Sequence, residues 1–368
     1  MAPGDGPLLR FAMSIGCEAE TLPLSRYGNG KKSGRDFLTF PGDILRGAWL
    51  VRRKGRFDLI YVNGPRVLPV VAGMPVPVLF HFHNLPDKRY ARMAVRWSLG
   101  RQTAVVSCSE FTAASLRSRR GLRVKVIYNG VADCGLAARG AGTGCLRVGI
   151  LGRISREKGH LAFIEAARRL SNRSRMRFIA TGAALFSDPV YARSVHETGA
   201  REGVEFPGWA DDPAKVLQEL DILAVPSAAG EASPRVIMEA LSSGTVVVAY
   251  PSGGIPELIR NGHDGLLTEA CTSEALAKSI EILAGNPDLR NRLAENGRHT
   301  YQTRFTVERF RREVCDEMQA RAASGGRSGS RAEMFADGGA CVSPGTRRRI
   351  SGASSAEPRP AEARERPQ

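Results

Sequence analysis

At 368 residues the chain exceeds what one hydrophobic core usually serves, so two domains are expected. Its 42% hydrophobic and 24% charged content is that of a globular protein, and the most apolar stretch, 67–82, is interrupted by Pro69, Pro75 and Pro77, which excludes a helical membrane span there. The net charge of +16 is unusual, and residues 321–368, with nine Arg against five acidic residues, account for only +4 of it.

The remaining +12 favours anionic partners such as phosphates or an acidic membrane face. Nucleic acid is set aside, because the basic residues are scattered and no zinc-finger spacing or RNP motif occurs. Seven cysteines (17, 108, 134, 145, 271, 315, 341) form no CxxC pair or metal-like cluster and read as reduced thiols of a cytoplasmic protein. The opening MAPGDGPLLRFAMSIG lacks the basic region and long apolar core of a secretory signal.

Along the chain, short apolar runs alternate with helix-length amphipathic segments, the pattern of a parallel α/β sheet. Strands are predicted at 19–24, 58–62, 76–82, 104–108 and 124–127, within a first domain over 1–140. A Gly/Ala-rich bridge, 135–144, leads to a second domain over 145–320, with strands at 146–151, 177–180, 204–206, 222–225 and 246–249. Helices are predicted at 159–170, 190–202, 213–220, 234–242 and 274–284, then two closing helices at 287–302 and 307–320. The tail, 321–368, is rich in Gly, Ser, Ala, Pro and Arg and is predicted to be disordered, having too little apolar surface to bury.

Four segments carry candidate chemistry. In EASPRVIMEA (231–240), Glu231 and Glu239 bracket the start of a helix, with Ser233 as its N-cap and Pro234 as its first residue. A helix N-terminus at the carboxyl end of a parallel strand is where such sheets bind phosphate. The two carboxylates, up to roughly 12 Å apart, can hold two hydroxyl-bearing parts of one extended ligand. In GRISREKG (152–159), Gly152 follows a strand, and Arg153 and Lys158 offer a planar fork and a point charge for a diphosphate. Lys158 at a helix start opposes the helix dipole, a misfit that an anion removes. In GGIPE (253–257), Gly253 and Gly254 let backbone N–H groups approach a ligand, and Pro256 opens the next helix. In HFHN (81–84), His81 and His83 fall on one side of a strand, and either can face a cleft. Taken singly, each segment also reads as ordinary structure: exposed glutamates, a basic loop, a glycine turn, a packed histidine.

Together, in this order, the segments resemble glycosyltransferase family 4, also called glycosyl transferase group 1. FPGWADD (206–212), NGHDGLL (261–267), VVSCSEFT (105–112) and VIYNGV (126–131) extend the resemblance over residues 6–320. It implies a GT-B fold, two Rossmann-like domains facing across a cleft, with the second binding a UDP- or GDP-linked sugar and the first presenting a glycan or lipid-linked acceptor. By position, Arg153 and Lys158 would hold the diphosphate, Glu231 the transferred sugar, Glu239 the ribose, and Gly253 and Gly254 the donor through backbone groups. His83 matches the family's residue near the anomeric centre, with His81 as the alternative. The resemblance implies retention of configuration by front-face attack and no metal or other cofactor; no DxD motif occurs.

Family members open with a strand, a Gly-rich loop and a long helix, and nothing like these precedes residues 6–24 here. The expectation is therefore a first domain lacking its first strand and Gly-rich loop. The functional expectation is a transferase of cell-surface polysaccharide synthesis, cytoplasmic or peripheral at the inner membrane face. The alternative is a remnant that binds nucleotide-sugar without transfer; a UDP-sugar 2-epimerase fits the motif set less well.

Overall fold

The computed structural model describes residues 1–3, 6–22, 24, 34–86, 89–117, 121–136, 145–185, 187–227 and 230–324. In the first half, β1 (Ala2–Pro3), α1 (Pro7–Ser14) and β2 (Thr21–Leu22) come first, and β1 and β2 pair in parallel as a small unit of their own. Helix α2 (Gly34–Arg53) then leads to β3 (Ile60–Asn63) and β4 (Val78–Phe82). Helix α3 (Arg89–Ser98), β5 (Thr103–Ser107), α4 (Glu110–Arg117) and β6 (Arg123–Val126) complete a four-stranded parallel sheet in sequential order. The strand expected over 19–24 is thus only two residues long and lies outside this sheet, and the Ala2–Pro3 strand beside it was not foreseen.

Period-two alternation on a buried strand separates two packing faces. Val78, Phe80 and Phe82 of β4 join a core under α2 and α3, whereas Leu79 faces a second cluster with Ala104, Val106 and Ile127.

The second half contains β7 (Leu146–Leu151), α5 (His160–Arg169), β8 (Met176–Thr181), α6 (Pro189–Arg201), β9 (Glu205–Gly208), α7 (Pro213–Glu219) and β10 (Ile222–Val225). Helix α8 (Arg235–Ser243), β11 (Val246–Ala249), α9 (Ile255–Leu258), β12 (Leu266–Leu267), α10 (Ser273–Gly285), α11 (Pro287–Arg304) and α12 (Val307–Ser324) follow. Its sheet is parallel throughout, in the order β12-β11-β10-β7-β8-β9. Counted within this half the order is 6-5-4-1-2-3, the doubly wound arrangement, and it reverses between β7 and β10. Ligands of such sheets bind at the carboxyl ends of the strands beside that reversal. Ile222 and Ala224 face one core and Leu223 and Val225 the other, so β10 is apolar on both sides.

Two expectations change. Helix α12, assigned from sequence to the second domain, packs through Phe310 and Val314 on the cluster beneath β4 and β5, so the chain returns to the first half. Val131 bridges to Thr306, and Arg309 donates to the carbonyls of Tyr128 and Asn129 at 2.6 and 3.2 Å. Helix α12 also runs to Ser324, past the predicted boundary at 321. The part of the bridge beyond residue 136 and the tail from 325 on lie outside the described residues.

Candidate nucleotide-sugar site

Four loops converge beside the β7–β10 reversal. The loop after β7 ends at Gly159, which adopts φ 76° and starts α5. A Cβ there would collide with the Pro226 carbonyl oxygen just past β10, so this close approach requires glycine. The loop after β8 meets that after β7: Gly152 N–H donates to the Thr181 carbonyl at 3.0 Å. Past β11, Gly253 has φ 59° and no room for a side chain against the Glu231 carbonyl, which accepts from Gly254 N–H at 2.9 Å. The GRISREKG, EASPRVIMEA and GGIPE segments therefore share one rim.

Across that rim Lys158 Nζ donates to Glu231 Oε2 at 2.6 Å, with 25% and 19% of the two side chains exposed. The sequence assigned these groups separate tasks; the structure pairs them. An ammonium has three donors, so two remain for other acceptors. Arg153 lies on the same loop, with one guanidinium nitrogen 2.5 Å from Glu157 and about a third of its side chain exposed. Lys158 itself occupies a short 3-10 turn, Arg156–Lys158, rather than the first turn of α5, so the expected clash with a helix dipole does not arise in that form.

The N-terminus of α8 differs from its predicted form by one residue. Pro234 is the N-cap, the helix begins at Arg235, and no side chain caps it. Ser233, expected as the cap, instead has a buried Oγ without a hydrogen-bond partner in the protein. Uncapped helix amides and a hydroxyl without a protein partner are groups that an anion can engage. One turn on, Glu239 is largely buried, and burial raises its carboxyl above the usual range, opposed by Arg235 at 3.5 Å. A desolvated carboxyl suits recognition of ligand hydroxyls.

From the first half, β4 delivers both histidines to its carboxyl end, their rings stacked at 4.0 Å. His81 is 1% exposed, bonded through Nδ1 to the Tyr61 hydroxyl at 2.5 Å and packed near Phe310 of α12. Burial, then the His83 neighbour, lowers its pKa to about 3. His83 is partly exposed, bonded through Nε2 to Asn63 Oδ1 at 2.7 Å, and burial lowers its pKa as well. Of the two, His83 is the ring that solvent or a ligand can reach. With Asn63 Oδ1 accepting, Nε2 carries the proton and Nδ1 keeps a lone pair.

Sequence reasoning missed Glu257. Its Oε1 and Oε2 accept from the amides of Phe111 and Glu110, each at 2.7 Å, so this carboxylate of the second half closes the N-terminus of α4 in the first. Arg304 donates to the Glu257 carbonyl at 2.9 Å. Tyr128 also leans on Glu257, and its phenol is pushed up to about 12, first by burial and then by that carboxylate. Glu257 lay inside a quoted motif, yet no local signal reveals a partner 146 residues away.

A doubly wound parallel sheet whose motif loops gather at its reversal, in one chain with a second parallel α/β unit, is the two-domain Rossmann-like architecture called GT-B. The profile described as Glycosyl transferases group 1 matches residues 143–300, and that described as Glycosyltransferase Family 4 matches residues 17–133. The chain belongs to this family of GT-B glycosyltransferases.

It is 32% identical over 162 residues to the lipopolysaccharide core biosynthesis glycosyltransferase LpsE of Rhizobium meliloti, covering 43% of this chain and 45% of LpsE. It is 27% identical over 252 residues to the lipopolysaccharide core biosynthesis mannosyltransferase LpcC of Rhizobium leguminosarum, covering 64% and 69%. The match thus spans less than half of LpsE. Among solved structures, Anabaena HepE in complex with UDP and glucose superimposes with TM-score 0.70 at 22% identity, over 86% of this chain and 90% of HepE. The sucrose-phosphate synthase of Thermosynechococcus elongatus gives 0.71 at 20% identity, over 84% of each. These likenesses carry the fold.

Proposed function

We propose that the protein is a retaining, metal-independent glycosyltransferase that moves a sugar from a UDP- or GDP-linked donor to a glycan or lipid-linked acceptor in cell-surface polysaccharide synthesis, on the cytoplasmic side of the membrane. The observation that carries this reading is the Lys158–Glu231 pair beside an uncapped helix N-terminus at the sheet reversal. Similarity to lipopolysaccharide glycosyltransferases supports the acceptor class, and the UDP complex of HepE supports the donor class.

In this reading the donor diphosphate lies between Lys158, Arg153 and the amides opening α8, with the Ser233 hydroxyl as an additional donor. As the bond from the anomeric carbon to the phosphate oxygen breaks, negative charge grows on the diphosphate, and fixed positive groups stabilise it more than they stabilise the intact donor. Glu231 accepts from sugar hydroxyls and Glu239 from the ribose. The acceptor hydroxyl attacks from the face the phosphate leaves, and its proton passes to the departing phosphate oxygen. Neutral His83 accepts a hydrogen bond through Nδ1 near the anomeric centre without adding a charge.

Calorimetric titration with UDP and GDP, followed by incubation of radiolabelled nucleotide-sugars with membrane extract, tests the proposal. The expected result is binding of one nucleotide and label in a lipid or glycan fraction. Absence of binding to both nucleotides overturns it, and binding without transfer or donor hydrolysis establishes the non-catalytic alternative.

A further inference from the structure

Strand β3 holds the two histidines of β4 by one repeated step. Tyr61 and Asn63 alternate along β3 and so share a face with Leu79, His81 and His83 of β4. Tyr61 lies in register with Leu79, and Asn63 with His81. Each reaches the ring two positions beyond its partner. The Tyr61 hydroxyl meets Nδ1 of His81 at 2.5 Å, and Asn63 Oδ1 meets Nε2 of His83 at 2.7 Å. On the other side of β4, just past β5, the Cys108 thiol donates to the His83 carbonyl at 3.1 Å. The His83 ring is therefore tied through its side chain to β3, through its backbone to the end of β5, and stacked at 4.0 Å on His81.

An amide oxygen only accepts, so Nε2 of His83 carries the ring proton. Nδ1 keeps its lone pair, and among the described residues nothing bonds it. The titratable groups around the ring are held uncharged chiefly by burial. His81 is lowered to about 3, the Tyr61 phenol is pushed up to about 12, and the Cys108 thiol is raised. From α12 the side chain that meets the pair is Phe310, 5.9 Å from the His81 ring centre. This wall of the first half thus offers an acceptor without charge, whereas the rim of the second half offers an ion pair. A neutral lone pair selects a hydroxyl, since an ionised phosphate has no proton to donate to it.

We infer that Asn63 is a positioning residue: by holding the Nε2 proton it presents the Nδ1 lone pair of His83 to a substrate hydroxyl, and so disfavours both the imidazolium and the other tautomer. This rests on the transfer reaction proposed above only for the substrate that brings the hydroxyl. The full chain, isotopically labelled in its histidine ring nitrogens, is read by proton–nitrogen correlation NMR, which reports where each ring proton sits. His83→Gln identifies the His83 signals among the six imidazoles.

The expected result for the wild type at pH 8 is a protonated Nε2 and a bare Nδ1. Asn63 is exposed, so its replacement leaves the core intact. Asn63→Leu is expected to bring in the second tautomer, and Asn63→Asp to raise the ring pKa by about one unit or more. These readings need neither donor nor acceptor, so they stand whichever way the transfer assay falls. In that assay, kcat/KM of Asn63→Asp is expected to drop more steeply than that of the wild type from pH 8 to 6, because imidazolium has no lone pair. A proton on Nδ1 in the wild type overturns the inference. So does an unchanged ring pKa in Asn63→Asp, or a pH profile of that variant identical to the wild type's.

Discussion

Two helix N-termini meet at the cleft and are finished in opposite ways. Helix α4 in the first half has its leading amides taken by the Glu257 carboxylate. Helix α8 in the second half has no side-chain cap, and the hydroxyl of Ser233 beside it has no protein partner. An N-terminus closed from within serves the architecture, because its partial positive charge is already neutralised. One left open keeps that charge for a ligand. The comparison also explains the placement of GGIPE: its glycines support the Glu231 backbone while its acid reaches over to the first half. One short segment thus holds the Glu231 backbone of the second half and the N-terminus of α4 in the first.

The largest effect expected is at the open end. Lys158→Ala removes a cation from the proposed leaving-group site and strands Glu231, so transfer should fall about 10²–10³-fold in kcat/KM. Steady-state kinetics with the identified donor checks this, and a loss below tenfold would reassign the diphosphate contact.

At the closed end, Glu257→Ala leaves the α4 amides without their acceptor. Stability should fall by about 1–2 kcal/mol in urea titration. Nucleotide affinity should stay within about twofold, since no donor contact is lost, while kcat drops as the domains lose their register. Small-angle scattering should show a more extended particle; an unchanged profile with unchanged kcat would reduce the contact to a surface cap.

A third test uses the buried histidine of the first half. The folded pKa of His81, about 3, lies below the ordinary value of 6.5, so the unfolded chain binds its proton first. Its contribution is full above pH 6.5 and is lost as pH falls toward 3, at up to about 1.4 kcal/mol per pH unit. His160 of α5, lowered to about 4 by burial and then by Lys158 and His196, adds the same slope in the second half. Stability measured from pH 7 to 4 should fall less steeply in His81→Phe; an identical slope would show that other groups govern the acid limb.

The smallest effect is expected at Ser233→Ala. Because Oγ bonds nothing in the protein, stability should shift by less than about 0.5 kcal/mol. Nucleotide affinity should weaken about fivefold, the net worth of one ordinary hydrogen bond. Unchanged affinity would mean that the open N-terminus of α8 does not carry the phosphate.

Much of the second half was legible from its residues. The strands Leu146–Leu151, Ile222–Val225 and Val246–Ala249 match their predicted bounds, and the last two, buried on both faces, are unbroken apolar runs edged by polar or turn residues. The first half was harder to read. Helices α2 and α3 were not delimited from the sequence. The cap of α8 was misplaced by one residue because Ser–Pro fits two phases of a helix start equally well.

By itself the sequence determined the alternation of strands and helices, the order of the motifs and hence the family, since these are properties of neighbouring residues. Only the tertiary structure decided that Lys158 meets Glu231 across 73 positions, that Glu257 closes a helix in the other half, and that α12 returns to the first sheet. Such meetings follow from the order in which parallel strands lie side by side. That order is fixed by burying two faces of each sheet at once, a condition no local stretch of residues contains.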